Sequence, residues 1–122
     1  MTKSMDLVWI VVKDFKKAVK FYTETVGLKL LRNDEKFGWA ELQGKEGGAM
    51  LGICNESSEN NLKPGDNACL TFTVEDIEKS KAFFLQKGAK FLGDIQEIPG
   101  HVRLITGVDA DGNHFQLAQM LE

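Results

Sequence analysis

The residues of this chain that could do chemistry or hold a ligand are few: two histidines, two cysteines, two tryptophans and a handful of amides and hydroxyls. His114 and Gln116 stand two apart in HFQL, so on a strand they face the same side. An imidazole beside an amide could hydrogen-bond a ligand or move a proton near neutral pH; the opposing reading is a histidine that merely follows a turn at a strand edge. Trp9 could stack on a flat aromatic or cationic ligand, or seal an interface. The strand parity of Trp39, in FGWAEL, is left open. His101 follows Pro99-Gly100 and reads as a solvated hairpin residue, and Arg103 reads as a cation shading a strand edge. A reactive Cys69 would need a depressed pKa, and no neighbour in sequence supplies positive charge, so a small buried hydrophobe is the expected role. No Ser-His-Asp set, P-loop or GxGxxG is present.

The elements that must position these residues are written twice. At an offset of sixty-two, Val12 falls on Val74, Asp14 on Asp76, Lys17 on Lys79 and Phe21 on Phe83. After one deletion near Val26, Gly27 falls on Gly88, Lys29 on Lys90 and Leu31 on Leu92. GGAMLGI then lies over DGNHFQL, with Leu51 on Phe115 and Ile53 on Leu117. Two copies make a pseudo-twofold rather than a solenoid.

Each copy reads as βαβββ. In the first, Leu7 to Val12 is a strand, Asp14 an N-cap and Phe15 to Thr25 a helix with its apolar residues at helical spacing; Gly27 is the stop. Strands follow at Leu28 to Arg32, Phe37 to Leu42 and Ala49 to Cys54. In the second, the strand Ala68 to Val74, the Asp76 cap, the helix Ile77 to Lys87 and the Gly88 stop precede strands near Lys90 to Ile95, Val102 to Val108 and His114 to Gln119. The expected organisation is one domain spanning 1–122, with module one at 6–54, a polar linker at 55–66 and module two at 67–120. One helix can cover only one face of each sheet, leaving the other to form a concave cleft or an interface. Trp9 and Met50 in one half, and Thr71, His114 and Gln116 in the other, fall on that open series and are the expected ligand-binding residues. Few acids fall on it.

Composition narrows the function classes. With 122 residues, 43% of them hydrophobic, the chain suits a single shared core; half-units of this size would be marginal alone, burying roughly 60% of their surface. A net charge of −3 with interspersed signs leaves no footprint for nucleic acid or an anionic membrane. The apolar run near the start is too short for a signal or a membrane span. Two thiols in apolar strand patterns are not a disulfide framework. A cytoplasmic α+β protein is expected.

The duplicated βαβββ pattern, the V-x-D helix openings, F-Y in the first helix and D-A-D-G-N-H-F-Q-L before the end together resemble the vicinal oxygen chelate superfamily over residues 6 to 120. That superfamily includes glyoxalase I, extradiol dioxygenases, thiol transferases acting on fosfomycin, and bleomycin resistance proteins. The resemblance implies curved mixed sheets around a cleft and a homodimer whose modules pair across chains. It also implies a divalent ion held by four positions, which here select Leu7, Gly52, Cys69 and Gln116. Leucine and glycine bring no donor, and a lone thiol with a neutral amide makes a poor site for such ions. Shifting the register by one meets Val8, Leu51 and Leu70, which are apolar too. The expectation is a metal-free small-molecule binder without a cofactor, sequestering a drug or metabolite. The alternatives are a glyoxalase-like lyase, dioxygenase or thiol transferase with a non-standard site, and an assembly module with no ligand.

Overall fold

A computed structural model describes residues 1, 3–58 and 62–121. The chain divides into two compact units, Met1–Asn67 and Ala68–Glu122. It is mixed α+β, with two helices and two mixed sheets.

In the first unit, β1 (Leu7–Val12) leads through Asp14 into α1 (Phe15–Lys20), followed by β2 (Lys29–Asp34), β3 (Trp39–Gly44) and β4 (Gly47–Asn55). The strand order is β1-β4-β3-β2, with β1 parallel to β4 and the other pairs antiparallel. Ile10 and Val12 alternate with the open-face residues and join Phe15, Ala18, Tyr22, Ala40, Leu42, Leu51 and Ile53 in the buried core beneath the helix. Burying such side chains stabilises by about 1.5–3 kcal/mol each relative to exposure. That offsets only part of the cost of ordering the backbone, about 1–2 kcal/mol per residue.

In the second unit, β5 (Leu70–Thr73) leads through Asp76 into α2 (Ile77–Gln86), followed by β6 (Lys90–Phe91), β7 (Gln96–Ile98), β8 (Val102–Val108) and β9 (His114–Met120). The order is β5-β9-β8-β6, with β7 also on β8. Leu70, Ile77, Phe84, Ile105, Phe115 and Leu117 are its buried residues. Phe115 is central, with its ring about 6 Å from those of Phe72, Phe84 and Phe91.

The repeat in sequence is a repeat of register. Val8 pairs with Leu51 and Ile10 with Ile53; their counterparts Leu70 and Phe72 pair with Phe115 and Leu117. Both caps are made as expected: the Asp14 carboxylate accepts from the Lys17 amide at 3.2 Å and the Asp76 carboxylate from the Lys79 amide at 3.1 Å. Gly27 and Gly88 close the helices at φ 86° and 89°, a conformation that favours glycine.

Three expectations are corrected. The first helix is not α-helical throughout: Phe21–Thr25 forms a π-turn, with the Val26 amide donating to the Phe21 carbonyl, five residues back. In the second helix the equivalent Phe83 carbonyl accepts from Lys87, four residues on. The extra residue of the first copy is therefore absorbed as a wide turn inside the helix. Second, the strand expected from Lys90 to Ile95 is two short strands, because the chain bends at Leu92-Gly93, where Gly93 has φ 101°. Phe91 pairs with Gly107 and Gln96 with Leu104, so two extra residues are looped out before pairing resumes. Third, the strand expected at Leu28 to Arg32 runs on to Asp34, which moves the first hairpin turn to Glu35–Gly38. Of the expected linker, Asn55 ends β4, Pro64-Gly65 forms a turn, and residues 59–61 lie outside the described residues.

Candidate functional site

In the first unit, ladder pairing fixes which side chains share the face not covered by the helix. One row runs Trp9, Gly52, Glu41, Arg32 across β1, β4, β3 and β2, and the next runs Val11, Cys54, Trp39, Asp34. Leu7 and Met50 form a third pair. A bulge at Leu31 shifts β2 by one residue, which turns Arg32 and Asp34 onto the open face. Trp39 and Glu41 alternate with buried Ala40 and Leu42, so the parity left open by the sequence is settled: both belong beside Trp9.

Gly52 lies under this aromatic layer. A Cβ placed on it would meet Trp39 Cη2 at 2.5 Å and Trp9 Cβ at 2.9 Å, closer than real contacts allow. The indoles stand with ring centroids 6.2 Å apart at an interplanar angle of 59°. Trp39 Nε1 donates to Glu41 Oε2 at 2.9 Å, which orients both side chains. Both tryptophans are half-buried, so part of each ring remains accessible for stacking.

In the second unit the equivalent face is polar. Gln116 lies between Thr71 and Thr106 in one row. Its Nε2 donates to Thr106 Oγ1 at 3.3 Å, and Thr71 Oγ1 donates to its Oε1 at a long 3.5 Å. His114 is exposed at the start of β9, opposite Val108, and shares this face with Gln116 as the spacing requires. His101 is an exposed hairpin residue. Arg103 lies on the helix side, pairing with Glu78 at 3.3 Å and Glu97 at 3.6 Å, so it does not reach the open face. Cys69 departs from expectation: it is exposed, not buried. Partial desolvation still raises its thiol pKa above the ordinary value, which keeps the sulfur protonated near neutral pH.

The D-A-D-G-N stretch is an architectural loop. Asp109 Oδ1 accepts from the amides of Asp111 and Asn113, both at 2.9 Å, and Asp109 Oδ2 accepts from Asn113 Nδ2 at 3.0 Å. Asn113 is completely buried. The loop launches β9 and so places His114 and Gln116.

The four positions where the resemblance implies metal ligands can now be tested against their surroundings. Leu7 is apolar; the space beside Gly52 is filled by Trp39; Cys69 is a lone exposed thiol; and the Gln116 amide is engaged with two threonines. Among the described residues no three His, Cys, Asp or Glu side chains cluster so as to hold an ion. These residues do not fit a divalent metal. An open recess of about 620 Å³ at the turn end of the first unit, between Lys13, Glu35, Phe37 and Glu56, mixes lysines and acids without converging donors.

Two βαβββ-type units with matching ladder register, each with one sheet face covered by its own helix and the other carrying the Trp9 row or the Gln116 row, define the glyoxalase-like class of α+β proteins. The chain belongs to the Glyoxalase/Bleomycin resistance protein/Dioxygenase superfamily, whose family model matches residues 4–117. A superfamily member from Sphaerobacter thermophilus has a TM-score of 0.82 and 21% identity, with 97% of this chain and 98% of that one covered. A glyoxalase family protein from Bacillus cereus has a TM-score of 0.79 and 23% identity, covering 100% and 97%. TnmS3, an antibiotic binding protein from Streptomyces sp. CB03234, has a TM-score of 0.76 and 27% identity, covering 98% and 97%. No curated protein matches significantly by sequence. Among the described residues no helix is long and apolar enough to cross a membrane.

Proposed function

We propose that this chain is a metal-free binding protein for a flat small molecule, sequestering a drug or metabolite, and that it works as a homodimer. The observation that carries the reading is the filling of the Gly52 position by Trp39. Where the superfamily's metal-dependent members are expected to carry a carboxylate, this chain has an indole lying beside a second indole. An aromatic pair on a rigid sheet offers stacking area at little cost in side-chain entropy. Met50 adds apolar area beside the indoles in the first unit; in the second unit the hydroxyl and amide row Thr71, Gln116 and Thr106, with His114 beside it, is a separate hydrogen-bonding surface in its own right. The antibiotic-binding role of TnmS3, at 27% identity, supports the same class of function.

The test has two parts. Elemental mass spectrometry of the purified, untagged protein, after incubation with Ni, Zn, Mn or Fe(II) and desalting, should show no stoichiometric metal. A library of planar compounds should then quench tryptophan emission saturably. Retained metal, or turnover of methylglyoxal hemithioacetal, catechols or fosfomycin with thiol, would overturn the binder reading.

A further inference from the structure

The open face of the first unit carries a charge that aromatic stacking alone does not explain. Glu41 sits in the same row as Trp9 and Gly52, half-buried, with one carboxylate oxygen fixed by the Trp39 indole N–H. Its register neighbour on the edge strand is Arg32, yet the two form no ion pair, and among the described residues Glu41 has no cationic partner. A second carboxylate, Asp34, stands in register with Trp39 on the same face, its Oδ1 accepting from the Phe37 amide at 3.3 Å. Sharing a sheet face with two indoles and no paired cation, this carboxylate leaves its negative charge for a ligand to meet. Beside it stand the two half-buried indoles, and the negative face of an indole attracts cations.

We infer that Trp9, Trp39 and Glu41 form a subsite for a planar aromatic cation, one that stacks on one indole, meets the other, inclined at 59°, along its edge, and places its positive charge against the second oxygen of Glu41. This rests on the stacking reading above and adds the charge of the ligand. Glu41 is the specificity-determining residue: the indole hydrogen bond holds one oxygen in place, so the other is presented at a fixed position rather than on a mobile side chain. Asp34 deepens the negative potential, and Arg32 at the sheet edge is the one opposing charge in the Glu41 row.

The experiment compares three bicyclic probes of similar size at pH 7.5 by calorimetry and tryptophan quenching: the cation 1-methylquinolinium, neutral quinoline and the anion 2-naphthoate. The cation should bind about tenfold tighter than quinoline, and the anion weakest. Glu41→Gln retains an acceptor for the Trp39 indole and removes the charge; it should weaken the cation about tenfold, so that cation and quinoline bind the variant alike, with the thermal unfolding midpoint as the folding control. Equal binding of the cation and quinoline to the wild-type chain would overturn the inference and leave the stacking reading intact. Equal loss of both probes in Glu41→Gln would also overturn it, making Glu41 a positioning residue for Trp39. If none of the three binds, the inference falls, and the planar-compound library then judges the stacking reading separately.

Discussion

The Trp39 ring lies so close over Gly52 that a methyl group on the glycine would fall 2.5 Å from Cη2. The absence of a side chain at position 52 and the presence of an indole at position 39 are one structural fact. The glycine is not needed for its backbone freedom, since it lies within β4 at ordinary strand angles. It is needed for its emptiness, and the aromatic surface exists because of it.

Gly52→Ala should therefore destabilise the chain by about 1–3 kcal/mol, the usual cost of overpacking. The added Cβ meets ring carbons on one side and the Trp9 Cβ on the other, so relief requires Trp39 to swing outward. Chemical denaturation measures the first effect, and a red shift of tryptophan emission reports the second. An unchanged spectrum and stability would show that the indole is not seated over Gly52.

Removing one stacking partner should weaken a planar ligand without unfolding the sheet. In Trp9→Ala, quenching by a ligand that saturates the wild-type signal should require roughly two- to tenfold more ligand, in line with about 0.5–1.5 kcal/mol for an aromatic pair. Trp39→Phe should have a second effect, because it also removes the N–H that holds Glu41. Equal affinities in wild type and Trp9→Ala would take Trp9 out of the site.

Asp109 anchors its loop through three hydrogen bonds, two from backbone amides and one from buried Asn113. Asp109→Ala should cost about 2–4 kcal/mol, since a buried amide then loses its partner. Hydrogen exchange should speed up first at the amides of residues 111 and 113. A stability loss below about 0.5 kcal/mol, within the range of ordinary surface changes, would contradict the architectural role.

Cys69 should alkylate slowly for an exposed thiol. Its folded pKa is raised by desolvation, so the thiolate fraction at pH 7.5 is smaller than in the unfolded chain. Iodoacetamide labelling should accelerate on unfolding and, in the native protein, as pH rises past the usual thiol range. The sign for stability follows: the native state holds the proton longer, so this group leaves stability unchanged below the unfolded thiol pKa and lowers it as pH rises toward the folded one. Faster labelling in the native state than in denaturant would reverse the assignment.

The duplication, the caps at Asp14 and Asp76 and the glycine stops were legible because each is a local signal with a local cause. The open-face positions of Trp9, Thr71, His114 and Gln116 followed from period-two alternation along strands with clear apolar faces. Trp39 and Glu41 were harder to place because FGWAEL alternates bulky and small residues without a clean apolar face, and only pairing with Cys54 and Gly52 decides the parity. The acids at Glu41 and Asp34 were hidden for the same reason, Asp34 also depending on the bulge at Leu31. Cys69 was misjudged because an apolar neighbourhood in sequence does not guarantee cover in space: it precedes the first paired residue of β5, where the sheet has not yet begun.

The π-turn at Phe21–Thr25 makes the first helix an expansion joint. One residue more than its counterpart is taken up within a single turn, and the strands on either side keep the phase seen in the other copy. Length variation in this segment is thereby uncoupled from the sheet: a one-residue trim between Phe21 and Thr25 would tighten the wide turn to an ordinary one and leave Trp9, Gly52 and Trp39 in register. The same joint lets the two copies of the repeat differ in length while keeping one register beneath different surfaces, indoles in one and hydroxyls with an amide in the other.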